Sequence, residues 1–165
     1  GAEWGPPPIW HYDPVETPSL FQVCICEVEV DTETGQIEAT NIVNVCDVGQ
    51  AIRPESVEAQ MYGGTIMAWG RPFTEELFHD PATGVLLNGN LYDFKFATML
   101  DCGPIETIYE ESHLGYGAWG LTGVGEDTAT SMPASFTNAV FNAIGVRIQE
   151  NPITPEKVLK ALGKI

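Results

Sequence analysis

Two neighbouring runs constrain this chain more than anything else in it. FQVCICEVEVD (residues 21–31) and QIEATNIVNVCDVG (36–49) both read as strands. Within the first, EVEVD alternates polar and apolar residues with period two, the mark of a strand with one buried face. Between them TETG supplies a turn that ends on glycine, so the two runs form a hairpin. Cys24 and Cys26 lie two apart in the first strand and point to one face of it.

The segments that follow mix helix and strand signals. RPESVEAQMYGGTIMAW (53–69) reads as a helix, with Pro54 at its first position and Glu55 and Glu58 at its positive end. Gly63 and Gly64 lie inside it. Each costs about 1 kcal/mol relative to alanine in a helix interior, so another body approaches that face closely: a helix, a strand or a cofactor. TEELFHD and VLLN flank the turn PATG as a second hairpin. PIETIYEES (104–112) is a further strand. SMPASFTNAVFNAIG (131–145) has helical spacing and stops on glycine, and ITPEKVLKAL (153–162) opens with a threonine cap and proline. Hairpins mixed with helices give an α+β domain over residues 20–165. Residues 1–19 hold GPPP, DP and TP, which exclude a regular helix or central strand. They read as an extended arm whose Trp4 and Trp10 lie on a neighbour.

Charge excludes several partners. Against 23 acids stand 7 bases, for a formal net charge of -16. Such a surface repels nucleic acid and anionic membrane surfaces. No apolar run reaches the roughly 20 residues of a membrane span, and no basic and apolar export signal opens the chain. Cys24, Cys26, Cys46 and Cys102 lack metal-site spacing and read as reduced thiols, which suits the cytoplasm. His11, His79 and His113 are spread too widely for a metal site.

The loop GLTGVGEDTATS (120–131) carries the chemistry. A glycine-rich loop before a helix usually suits an anion, yet this one delivers Glu126. It lacks the lysine and serine or threonine of a phosphate loop and the serine of a nucleophile elbow. A carboxylate in a desolvated pocket gains proton affinity and suits a general base. Gln60, just before the glycine pair, both donates and accepts hydrogen bonds, which suits the amide-like edge of a pterin. Read alone, each has a plainer alternative: a hydrated or helix-capping acid, and an exposed helix glutamine.

In order along the chain, CEVEVDTETGQI, DVGQAIRPESVEAQMYGGTIMAWG, GYGAWGLTGVGE and NAVFNAIGVRIQENPITPEKVLKAL together resemble the C-terminal part of the large, molybdenum-binding subunit of the xanthine dehydrogenase family of molybdenum hydroxylases. The likeness covers about residues 20 to 162. It implies that Glu126 is the catalytic glutamate beside the molybdenum and that Gln60 contacts the molybdopterin. Gly123, Val124 and Gly125 would bring backbone close to the cofactor. The implied reaction is oxidative hydroxylation of an N-heterocycle or aldehyde with water as oxygen source. Glu126 would take the proton from the hydroxyl that attacks the substrate carbon. The implied cofactor is molybdenum-molybdopterin, its cytosine dinucleotide form included among the options, shared with partner chains. Iron–sulfur clusters and FAD would sit on other subunits, since the chain lacks patterns for either. The family subunit is several times longer, so this chain is expected to be a split or cleaved part of a heteromeric enzyme. The alternative is a structural or assembly subunit that kept the fold without the chemistry. Two departures stand out: Arg53 precedes Pro54 where asparagine is common, and DTATSMPAS follows Glu126 where a PP-type continuation is commoner.

Overall fold

The structure is a computed structural model that describes residues 20–115 and 117–165. The arm expected over residues 1–19, with Trp4 and Trp10, lies outside the described residues.

The hairpin forms as the sequence demands. Strands β1 (Gln22–Val30) and β2 (Ile37–Asp47) pair antiparallel, with Val23 opposite Val45 and Ile25 opposite Val43. A register shift between Glu27 and Val28 marks a bulge. The turn closes on Gly35, whose φ of 78° is a left-handed conformation suited to glycine. Helix α1 (Pro54–Phe73) then crosses over, and β3 (Ile105–Glu110) lies parallel to β2. The order is β1-β2-β3. A helix is the usual way to return to a parallel neighbour.

Helix α1 runs past Trp69 to include Pro72. The proline sits in the last turn, is buried, and its carbonyl accepts from the Ile153 amide at 2.6 Å. The second expected hairpin is reduced to one bridge, His79 to Leu86. Its turn closes through Asp80, but TEELFHD lacks clean alternation, and most of its residues stay exposed. Helix α2 (Met132–Ile144) ends on Gly145 at a φ of 74°, and α3 (Pro155–Ala161) is capped by Thr154, which accepts from the Lys157 amide.

Among the described residues, one face of the sheet is covered and the other is open. Ile42 of β2 packs with Ala68 and Trp69 of α1 and with Met132 and Phe136 of α2; Cys24, Cys26 and Val28 of β1 join from the same side. This is a two-layer α+β arrangement. Val23, Ile25 and Ile108 point the other way and remain about half exposed. All four cysteines are free, Cys46 and Cys102 buried and the other two half-buried. Burial first, and then the neighbouring thiols Cys24 and Cys102, push the Cys26 thiol up to about 12. Among the described residues no helix is long and apolar enough to cross a membrane.

Candidate active site

The glycine-rich loop leaves the end of β3 and returns to α2 across the C-terminal end of β2. Its first half packs on itself. A Cβ on Gly115 would stand 2.1 Å from the Leu121 carbonyl, and one on Gly120 would stand 2.6 Å from that of His113. These glycines are needed because backbone meets backbone there. Thr122 then anchors the loop to the sheet: its amide donates to the Val48 carbonyl at 3.1 Å and its hydroxyl to that of Asp47 at 3.4 Å. Asp47 steadies this end by accepting from the Gly49 amide and the Ser112 hydroxyl, both at 2.9 Å. The Gly49 amide, with help from Ser112, holds its carboxyl below the usual range.

The second anchor is Thr128, which is fully buried. Its hydroxyl faces the Gly125 carbonyl at 2.9 Å and the Gln60 carbonyl of α1 at 3.2 Å. Its own carbonyl accepts from Gln22 Nε2 at 2.6 Å and from Asn44 Nδ2 at 3.3 Å. Gln22 also bonds Asn44 Oδ1 and takes the Ser131 hydroxyl at the start of α2. Asn44 Nδ2 reaches Thr65 Oγ1 on α1 at 3.4 Å. One polar network thus ties both strands of the hairpin, α1 and the head of α2 to the loop.

Between the two anchors lie the residues expected to carry function. Glu126 opens a short 3-10 turn, Glu126–Ala129, and is exposed. Gly123 and Gly125 are exposed, and nothing stands within 4 Å of where a Cβ of Gly125 would be. Among the described residues, the amides of Gly123, Val124, Gly125 and Glu126 meet no backbone acceptor. Val124 is half-buried, its side chain packed on the cluster of Cys46, Val48, Val57 and Met61. Only its backbone is left to face outward. Gln60 is exposed on α1, and Thr128 brings its carbonyl within two hydrogen-bond lengths of the Gly125 carbonyl.

The glycine pair on α1 separates into two cases. A Cβ on Gly64 would stand 2.2 Å from Thr128 Oγ1, so the body approaching there is the loop's own anchor. Gly63 is exposed with nothing within 4 Å. It shares its side of the helix with Gln60, three residues earlier. Glu126 stands exposed, and Gly123 and Gly125 before it provide no side chains to wall it in. Beside the loop is a concavity of about 550 Å³ lined by Gln22, Thr122, Gly123, Asp127, Thr130 and Ser131.

A family model described as the molybdopterin cofactor-binding domain matches residues 9–103. The chain belongs to this domain family of the xanthine dehydrogenase-type molybdenum hydroxylases. It is 33% identical over 141 residues to the xanthine dehydrogenase molybdenum-binding subunit of Escherichia coli O157:H7, covering 86% of this chain and 19% of that subunit. It is 36% identical over 137 residues to the nicotine 6-hydroxylase large subunit of Paenarthrobacter nicotinovorans, covering 81% of this chain and 17% of that one. The structure matches CO dehydrogenase from Oligotropha carboxidovorans with a TM-score of 0.80 at 26% identity, over 93% of this chain and 19% of that chain. The chain therefore spans about a fifth of the length of the curated relatives it matches.

Gly125 and Gly63 are bare without any packing partner that requires it, and among the described residues the amides of residues 123–126 have no backbone acceptor. A bulky, oxygen-rich anionic group accepts from such amides and fits against such glycines. The residues present fit the cofactor.

Sequence reasoning did not single out Thr128, Asn44 or Gln22. A signal existed for Asn44: alternation places it inward between Ile42 and Cys46, where a polar side chain has to find partners.

Proposed function

We propose that this chain is part of the large subunit of a heteromeric molybdenum hydroxylase and contributes its general base, Glu126. The reaction is the oxidative hydroxylation of an N-heterocycle or aldehyde, with water as oxygen source. When bound, the molybdenum-molybdopterin group supplies the two-electron redox chemistry and lowers the pKa of the water-derived oxygen. Glu126 accepts the proton from that oxygen through its exposed carboxylate. The amides of Gly123, Val124, Gly125 and Glu126 hold acceptor atoms of the cofactor, and Gln60 binds its pterin edge. The observation that carries this reading is the stretch from Gly123 to Glu126, tethered at Thr122 and Thr128, whose amides meet no backbone acceptor among the described residues.

The partners follow from the family and from the chain's share of its relatives' length. The missing wall around Glu126 comes from other parts of the molybdenum subunit, which exclude water from the site. Iron–sulfur and flavin subunits complete the electron path. Four free cysteines suit a cytoplasmic setting.

The test is Glu126→Gln in the assembled enzyme. Turnover is expected to fall by about 10²- to 10⁴-fold, the usual contribution of a positioned base, with molybdenum and pterin content unchanged. Normal turnover with the cofactor bound would remove the base role. It would favour the second reading, a structural or assembly subunit, for which the exposure of Glu126 in this chain speaks.

A further inference from the structure

We propose that Thr128 is a positioning residue that sets where Glu126 stands relative to Gln60. This rests on the reading of Glu126 as the base. Among the described residues, the loop from Thr122 to Thr128 is tied to the rest of the chain at its two ends, by the Val124 side chain, and by Thr130, whose amide donates to the Asp127 carbonyl at 3.2 Å and whose hydroxyl donates to the Glu126 carbonyl at 3.4 Å. At the far end one hydroxyl proton is shared between two carbonyls, that of Gly125, immediately before Glu126, and that of Gln60. The base and the cofactor-facing glutamine are thus referred to a single oxygen atom.

Thr128 is itself fixed from both sides. Gln22 and Asn44 hold its carbonyl, and the absence of a side chain on Gly64 lets its hydroxyl reach α1. Removing the proton would leave the Gly125 and Gln60 carbonyls turned toward one another with no donor between them. The peptide before Glu126 then swings away, and the carboxylate moves with it. Both carbonyls keep other donors: the Thr128 amide meets Gly125 at 3.3 Å, and Gln60 serves the helix ladder. The fold therefore survives the loss while the alignment does not.

The experiment compares Thr128→Val, which keeps the shape and removes the donor, with Thr128→Ser, which keeps the donor. In the assembled holoenzyme Thr128→Val is expected to lower kcat about a hundredfold, the scale of an ångström's misplacement. KM and molybdenum content should stay near wild type, and hydrogen exchange should quicken at residues 123–127. Thr128→Ser should restore most of kcat and the slower exchange. Wild-type kcat in Thr128→Val would overturn the proposal. So would equal losses in both variants, or unchanged exchange at residues 123–127. If Glu126→Gln abolishes turnover while Thr128→Val does not, positioning fails and the base stands. If Glu126→Gln turns over normally, the base reading itself has failed.

Discussion

Gly63 and Gly64 are adjacent, yet a methyl group has opposite consequences at each. At Gly64 it would meet Thr128 Oγ1 at 2.2 Å and the Thr128 carbonyl carbon at 3.2 Å. Neither can retreat, because Thr128 is buried and bonded on both sides. Gly64→Ala is expected to cost about 1–3 kcal/mol, the usual penalty of overpacking, read as a lower denaturant midpoint. At Gly63 the space is open, and Gly63→Ala should stabilise the chain by about 1 kcal/mol through helix propensity. The assembled enzyme supplies the second half of this comparison. If the cofactor approaches Gly63, the variant that stabilises the chain should lose bound molybdopterin. Equal pterin content in Gly63→Ala and wild type would show that nothing lies against that face. The sequence revealed that this pair needed an explanation but not that the two glycines need different ones, because the partner of Gly64 lies 64 residues further along.

Elements with local signals were legible and those that depend on distant contacts were not. The hairpin, α2 and α3 follow from alternation, from Gly145 and from the Thr154 cap, all of which act within a few residues. The parallel placement of β3 depends on how α1 packs, which no local pattern records. PATG makes a real turn beside His79, but its flanks lack strands to follow it. The site divides in the same way. Glu126 and its glycines show in the sequence, whereas the buried network behind them joins residues 22, 44, 65 and 128. Within the long connection from α1 to β3, the turn ending at Asp101 is held by charge. Its carboxylate accepts from the Thr98 amide and hydroxyl, each at 2.7 Å, and pairs with Lys95 at 2.9 Å. The Thr98 hydroxyl first, then Lys95 and the Thr98 amide, lower its pKa from 3.8 to about 2. A carboxyl depressed in the folded state stabilises above its unfolded pKa, and that contribution disappears as pH falls through the folded value. Protection of the Thr98 amide, measured at matched intrinsic exchange rates, should therefore hold from neutrality down to about pH 4. It should then decline toward pH 2. In Asp101→Asn, protection should be lower at neutrality and show no acid step; an unchanged profile would show that the turn does not rely on this charge.

For the molecule as a whole, the open side of the sheet bears directly on assembly. Phe21, Val23 and Ile25 are 69%, 57% and 57% exposed, and Ile108 on β3 is 45% exposed. Strand pairing sets Val23 beside Val45 and Val45 beside Ile108, so these side chains form one continuous apolar face rather than scattered residues. A patch of this kind marks an interaction surface. The chain spans about a fifth of its relatives' length, so the proposed occupant is the remainder of the molybdenum subunit, the same body proposed to wall in Glu126. Two measurements test this. Purified alone, the chain should self-associate through the open face, and Ile25→Lys should make it more monodisperse in size-exclusion chromatography with little change in its unfolding midpoint, because Ile25 makes no inward contact. In the assembled enzyme the same substitution should weaken assembly and lower bound molybdenum, because a lysine there places an unpaired charge in a dry contact. An enzyme that assembles and retains its metal with Ile25→Lys would leave the sheet face outside the interface. The wall around Glu126 would then have to come from a body that touches the loop alone.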